Sequence, residues 1–378
     1  MRHVDWTLPG REDKMPEQDL IEPMGHTAYF MCPDVNQPWG GIRKIYRFVD
    51  ILNAAGRSAT VIHNKAGFRC NWFQNTTPVK AASDIRFSVG DLLVLPEVYG
   101  AHIPRFAPGV PHVVLNQGAY LTFGGSGLSP DRWEPVVSND TIGIVTVSED
   151  SREYLQFSFP DLPIHRIKLG VDKSLFYPPT EGKSRILSYM PGKRIKDHVQ
   201  VLRILHQRGV LDGWKLAPIH GVSETEAARL LRSSAVFMAF SEQEGFGLPP
   251  LEAMASGCVV VGFHGGGGRE YFRPEVSFPI GNGEIIKFAR TLEYILTSWG
   301  QNPTLETLVH SASEFARREY SQEQETRDVS MVFGDALDKV ADCAPGVSKL
   351  QDWFPVRPRW RNVAGHLRAA ARAAAKQG

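Results

Sequence analysis

The chain has 378 residues, with 42 Lys and Arg set against 41 Asp and Glu for a formal charge of +1. That balance excludes a strongly nucleic-acid-seeking chain, and 42% hydrophobic content excludes a largely disordered one. The length exceeds that at which one core keeps growing, so two domains are expected.

Cys32, Cys70, Cys258 and Cys343 are scattered, without the clustered spacing of a metal site, and no Asp-x-Asp segment occurs, so no metal ligands are expected. The polar N-terminal stretch lacks the basic segment and apolar core of a signal peptide. No apolar run approaches the roughly 20 residues that span a bilayer. The expected setting is cytoplasmic, with peripheral membrane contact as a second.

Residues 27–32 read as a strand, 33–41 as a loop carrying Pro38-Trp39-Gly40-Gly41, and the helical spacing of Ile42, Ile45, Phe48, Val49 and Leu52 as a helix closing near Gly56. A strand follows at 59–63. Apolar runs at 91–95, 112–115 and 141–147 alternate with helix or loop, a helix begins near Ser151, and 166–169 reads as a last strand. This alternation predicts a parallel sheet covered on both faces, in a first domain spanning 1–172. Turn and proline chemistry in Tyr177-Pro178-Pro179-Thr180 marks a linker at 173–183.

The pattern then restarts. Strands are predicted at 185–190, 214–218, 235–240 and 258–263, with helices at about 196–207, 224–231 and 250–256, giving a second doubly wound domain over 184–345. Helices at 285–298, 303–318 and 322–341 close it. The tail, 346–378, contains Trp353, Phe354, Trp360 and six basic residues from Asp352 onward. Burial of its Trp residues favours packing back across the domains, with an anionic surface as the alternative.

The segment Glu244-Gly-Phe-Gly-Leu-Pro-Pro-Leu-Glu252 carries the most chemistry. Gly245 and Gly247 let backbone amides approach a ligand, Glu244 can accept hydrogen bonds from hydroxyls, and Pro249 or Pro250 suits a helix start that puts Glu252 in the first turn. Surface salt bridging of Glu244 and a helix-start charge role for Glu252 are the plainer alternatives. Gly265-Gly266-Gly267-Gly268 follows a strand, so its amides are candidates for an anion-binding nest. Lys193, Arg194 and Lys196 follow the first strand of the second domain, where cations would meet a phosphate leaving group. Gly40 and Gly41 occupy the corresponding turn of the first domain. Trp39 reads as lid, core or acceptor contact, and His220 as ligand contact or turn stabiliser.

Residues 240–262 resemble the donor-binding region of retaining glycosyltransferases of family 4, most specifically in Glu244, Gly245-Phe246-Gly247-Leu248-Pro249 and Glu252-Ala253-Met254-Ala255-Ser256-Gly257. The resemblance implies an α/β protein of GT-B fold, with two facing Rossmann-like domains and C-terminal helices. It implies an EC 2.4 enzyme that moves a sugar from a UDP-sugar or GDP-sugar to an acceptor hydroxyl with retention, without an essential metal. Glu244 would hold hydroxyls of the transferred sugar and Glu252 the ribose. Gly266, Gly267, Gly40 and Gly41 would approach the diphosphate, Arg194 with Lys193 or Lys196 would stabilise the leaving group, and Ile219 would pack the base. Asn116-Gln117-Gly118 departs from the pattern, since relatives present a His there. The acceptor would be a glycan or other glycoconjugate, less readily a nucleic acid. A nucleotide-sugar sensor without transfer and a glycoside hydrolase are the competing functions, the latter weakened because both acids lie on one loop and helix rather than across a scissile bond.

Overall fold

The structure is a computed structural model and describes residues 6, 7, 26–124 and 135–350. The first domain is built on strands β1 (Thr27–Met31), β2 (Ser58–His63), β3 (Val79–Ala81), β4 (Leu92–Pro96), β5 (His112–Asn116), β6 (Thr141–Thr146) and β7 (Ile164–Arg166). They pair in parallel in the order β3-β2-β1-β4-β5-β6-β7. Every residue of β4, β5 and β6 is buried, which is why these strands read as unbroken apolar runs rather than as alternation. Chain order reverses between β1 and β4. Doubly wound sheets open a crevice at such a reversal, outside the carboxyl ends of the strands.

Helix α1 (Gly40–Ala54) buries Ile42, Ile45, Phe48, Val49 and Leu52 against this sheet, as their spacing requires. It begins two residues earlier than the sequence suggests. Trp39 is the extended residue that caps it, so Gly40 and Gly41 form the first helical turn rather than a loop. Short helices α2 (Ile103–Phe106) and α3 (Ala119–Phe123) follow β4 and β5, and α4 (Glu149–Ser158) follows β6, its Ser148 side chain accepting from the amide of Ser151. Strand β7 ends at Arg166, where the expected strand 166–169 begins. Beyond it, Lys168 donates its amide to Asp328 and Val171 to the carbonyl of Tyr320, so this stretch is diverted to the C-terminal helices.

The second sheet contains β8 (Ser184–Tyr189), β9 (Lys215–Pro218), β10 (Ser234–Phe240), β11 (Val259–Phe263) and β12 (Phe278–Pro279), parallel in the order β12-β11-β10-β8-β9. Its reversal lies between β8 and β10. Around it pack α5 (Ile195–Gln207), α6 (Glu224–Ser233), α7 (Leu248–Ala255), α8 (Ile285–Ser298) and α9 (Pro303–Glu319).

The last helix, α10 (Gln322–Lys339), does not stay with the second domain, where a boundary at 345 would put it. Phe333 meets the rings of Phe30 and Phe48, and Glu325, fully buried, takes Lys44 at 2.5 Å and Arg47 at 2.6 Å. Apolar surface left open on α1 is thereby covered by chain more than 260 residues downstream. Residues 346–350 continue along the first domain, through Gly346 to Gly109 and Phe87 to Ser348. Trp353, Phe354, Trp360 and the basic residues of the tail lie outside the described residues.

Candidate active site

The carboxyl edges of the two sheets face each other across a cleft of about 1100 Å³. This exceeds the usual range of small-molecule pockets, as a ligand with several linked parts requires. One wall comes from the turns after β1, β4 and β5, the other from those after β8, β9 and β10.

On the second wall, the backbone fixes the acidic loop before any side chain acts. Glu244 donates its amide to Gly265 at 2.7 Å and accepts from the amide of Gly267 at 3.1 Å. A Cβ on Gly267 would lie 2.1 Å from the carbonyl of Gly245, so only glycine permits this clasp. Glu244 reaches Lys193 at 2.7 Å, and the pair is partly open to solvent. Helix α7 starts at Leu248 with Pro249 in its first turn, where a missing amide costs nothing. Glu252 consequently sits in the second turn, not the first, and its side chain is only 11% exposed. Its partner comes from the other domain: Arg43 of α1 meets Glu252 at 3.2 Å and also pairs with Glu224.

The domains approach closely. A Cβ on Gly245 would lie 1.6 Å from the carbonyl oxygen of Gln117, and one on Gly266 would lie 2.2 Å from the hydroxyl of Tyr120. Gly41 faces the Gln117 side chain, which donates to its carbonyl at 3.2 Å, and Gly40 faces Leu248. Beside the cleft, Glu270 accepts from the Glu149 amide at 2.8 Å and pairs with Arg166 at 2.5 Å, while Asp150 bonds Tyr120 at 2.7 Å. Burial pushes the Glu270 carboxyl up despite Arg166.

Of the residues singled out in the sequence, Gly40, Gly41, Lys193, Ile219, Glu244, Gly245, Phe246, Gly247, Leu248 and Glu252 all border the cleft. Gly266 and Gly267 do not border it. Their amides are already taken by His264 Nδ1 and the Glu244 carbonyl, and that of Gly268 by the His264 carbonyl, so the run is a packing device here rather than an open nest. Arg194 and Lys196 also stand off the cleft wall. Arg194 is bonded to Asp197 at 2.6 Å and Asn282 at 2.8 Å and lies over the Phe263 ring. It adopts φ 51°, an uncommon conformation for a residue with a Cβ. Lys193 is therefore the cation of this group that meets the cleft.

Asn116 is buried off the cleft and donates to Thr122, whereas Gln117 reaches the wall. His112 is structural, between Val110 and Thr141. Trp39 and Trp72 border the cleft, while Phe73 packs edge-on against Trp72 and Tyr46. Tyr120 and Leu121, in an unusual first-domain loop on the acceptor side, line the wall as well, and so do Glu97 and Met190, which carry no signal in the sequence. An acid directly after a buried strand at the reversal point is the one mark by which Glu97 could have been found.

Among the described residues, no group of three or more His, Cys, Asp or Glu side chains could hold a metal ion, and no helix is long and apolar enough to cross a membrane.

Residues 215–315 match the family described as glycosyl transferases group 1. An alpha-1,6-glucosyltransferase from Actinobacillus pleuropneumoniae is 33% identical over 127 residues, covering 32% of this chain and 37% of the relative. The chain thus matches little more than a third of that relative's length. Among solved structures, sucrose-phosphate synthase from Thermosynechococcus elongatus superposes with a TM-score of 0.63 at 12% identity, covering 83% of this chain and all of that one. The chain has the GT-B fold, and the residues that match the group 1 glycosyl transferases lie in its second domain. A further solved structure, HepE from Anabaena in complex with UDP-glucose, superposes with a TM-score of 0.55 at 14% identity, over 82% of this chain and 99% of its own.

Proposed function

We propose that this GT-B protein transfers a sugar from a nucleotide diphosphate sugar to an acceptor hydroxyl, with the anomeric configuration retained. One observation carries the reading: Glu244 with Lys193 and Glu252 with Arg43 stand on one continuous cleft between the carboxyl edges of two doubly wound sheets. Two hydroxyl-accepting carboxylates with cations beside them suit a ligand that joins a polyol, a diphosphate and a ribose.

In this reading Glu252 accepts from the ribose hydroxyls and Glu244 from the sugar. The first-turn amides of α1 and α7, at Gly40, Gly41 and Leu248, face the diphosphate, and their helix ends favour its charge. Lys193 meets the charge that develops as the bond between the anomeric carbon and the phosphate oxygen breaks. The acceptor oxygen bonds to that carbon on the same face, and its proton passes to the departing phosphate oxygen. No metal is assigned to the step. Arg194 and Lys196 join only if the turn after β8 rearranges on donor binding. The base packs near Ile219, and the acceptor is a glycan or other glycoconjugate entering over the first domain, in a cytoplasmic or membrane-peripheral setting. UDP is the favoured nucleotide because the HepE structure holds UDP-glucose.

The test is calorimetric titration with UDP, GDP and their sugars, followed by mass spectrometry of cell glycan and glycolipid fractions incubated with each donor. A mass gain of one sugar is expected. Tight donor binding with no transfer to any fraction would leave a sensor, and no binding of either nucleotide would sink the reading.

A further inference from the structure

Glu97 begins the 3-10 turn that follows β4, and β4 lies next to β1 at the strand-order reversal. Glu97 is 3% exposed and is among the residues that border the cleft. Part of the carboxyl is satisfied, since the backbone amides of Gln117 and Gly118 and its own amide hydrogen-bond to it. Oε2 is buried and has no partner.

A buried polar atom left unpaired costs free energy, and where such an atom belongs to a residue on a cleft wall, a ligand is a partner that can recover that cost. The chemistry narrows the ligand. A phosphate beside a carboxyl would be repelled whenever the carboxyl is ionised. Burial pushes the Glu97 carboxyl up to about 7, so both protonation states are available near neutrality. A hydroxyl group suits either state, because it can donate to a carboxylate and accept from a carboxylic acid.

Location narrows it further. The amides that hold Glu97 belong to the Gln117 turn, and the Gln117 carbonyl abuts Gly245, the neighbour of Glu244. Glu97 therefore stands on the first-domain wall near the point where that wall meets the Glu244 loop. We propose that Glu97 is a donor-specificity residue whose Oε2 hydrogen-bonds a hydroxyl of the sugar being transferred, opposite the hydroxyls that Glu244 holds. This rests on the transferase reading and adds to it a contact from the other domain.

The experiment measures binding of UDP, UDP-glucose, GDP and GDP-mannose at pH 7 to the wild type, Glu97→Gln and Glu97→Leu. Folding is checked by circular dichroism. The expected result is nucleotide affinity equal in all three proteins, with the affinity of the nucleotide sugar reduced about tenfold in Glu97→Leu and little in Glu97→Gln, whose amide both donates and accepts. Parallel weakening of nucleotide and nucleotide sugar would overturn the proposal, because it would mean that Glu97 only holds the Gln117 turn. Unchanged nucleotide-sugar binding with a raised acceptor KM would overturn it in favour of an acceptor contact. Should Glu97→Leu fail to fold, singly deoxygenated UDP-glucose analogues carry the test. One of them must bind wild type about tenfold more weakly than UDP-glucose and bind Glu97→Ala as tightly as wild type, while the other analogues lose about tenfold in Glu97→Ala; a similar loss for every analogue in Glu97→Ala, or equal binding of the whole series by the wild type, overturns the assignment. If neither UDP nor GDP binds the wild type, the transferase reading fails first, which separates its failure from that of the Glu97 contact.

Discussion

The two walls of the cleft are built in different ways. On the second domain, Glu244, Gly245, Gly247 and Glu252 come from nine consecutive residues, and their backbone is clasped by Gly265 and Gly267 only some twenty residues on. On the first domain, Arg43 comes from the helix after β1 and Glu97 and Gln117 from the turns after β4 and β5, and they converge only when the sheet has formed. A wall written as one segment keeps its geometry through local hydrogen bonds. A wall assembled from strand ends can change one residue at a time, which suits the part of a site that sets specificity.

The contrast can be broken most forcefully where the walls touch. Gly245→Ala puts a Cβ into the Gln117 carbonyl, so the domains must separate by an ångström or more. Transfer is expected to fall on the order of a hundredfold while nucleotide binding to the second domain persists. Steady-state kinetics beside UDP calorimetry would check this, and unchanged kcat would show that the closed approach is irrelevant to turnover. Next in size, Glu252→Ala is expected to weaken UDP binding by roughly thirtyfold, because a charge-assisted hydrogen-bonding partner is lost. An unaltered Kd in a folded variant removes the ribose role.

A smaller effect of opposite sign is expected for Arg43→Ala. Arg43 pairs with Glu252 and would compete with a ribose for its carboxylate, so its removal should tighten UDP binding a few-fold, in keeping with the modest worth of a partly exposed pair. Weaker binding would instead make Arg43 a ligand contact.

The smallest expected effects concern pH, and the two domains differ in sign. The folded state lifts the Glu97 carboxyl from 4.5 to about 7. Between those values the folded chain holds the proton better than the unfolded one, so this contribution is full below 4.5 and lost as pH rises through 7. Burial near Phe240 and Tyr189 lowers His198 from 6.5 to about 4. Its contribution is full above 6.5 and lost as pH falls toward 4. Glu97→Gln should accordingly raise the melting temperature at pH 8, and His198→Phe should raise it at pH 5, each by on the order of a few degrees. Melting curves at both pH values decide it; a reversal of either sign would contradict the burial that causes the shift.

The same contrast explains what could be read before the structure. The buried strands, α1, and the paired acids were legible because apolar runs, helical spacing and a contiguous motif are local signals. The partners of the Gly266, Gly267 and Gly268 amides are not legible in the sequence, since a glycine run signals freedom of backbone but not whether its amides are already bonded. Arg194 was favoured for its chemistry, yet Asp197, Asn282 and Phe263 hold it aside. Glu97 was missed because a single acid after a strand gains meaning only from strand order. The destination of α10 was hidden for a similar reason: its apolar positions declare a buried face but not which domain supplies the partner.

That return of α10 sets how the molecule can open. The chain passes between domains twice, once after β7 and once between α9 and α10, and the two passages lie side by side: Val171 is bridged to Ser321 and bonded to Tyr320, and a Cβ on Gly170 would strike the Gln322 backbone at 2.7 Å. Lys44, fully buried, ties the Gly170 carbonyl to Glu325 across the same point. The two passages form a spine, as in a book, so the covers can swing but cannot slide past each other or twist freely. That spine holds the Glu244 loop opposite one page only, so a wall encoded in one segment and a wall assembled from three meet in register.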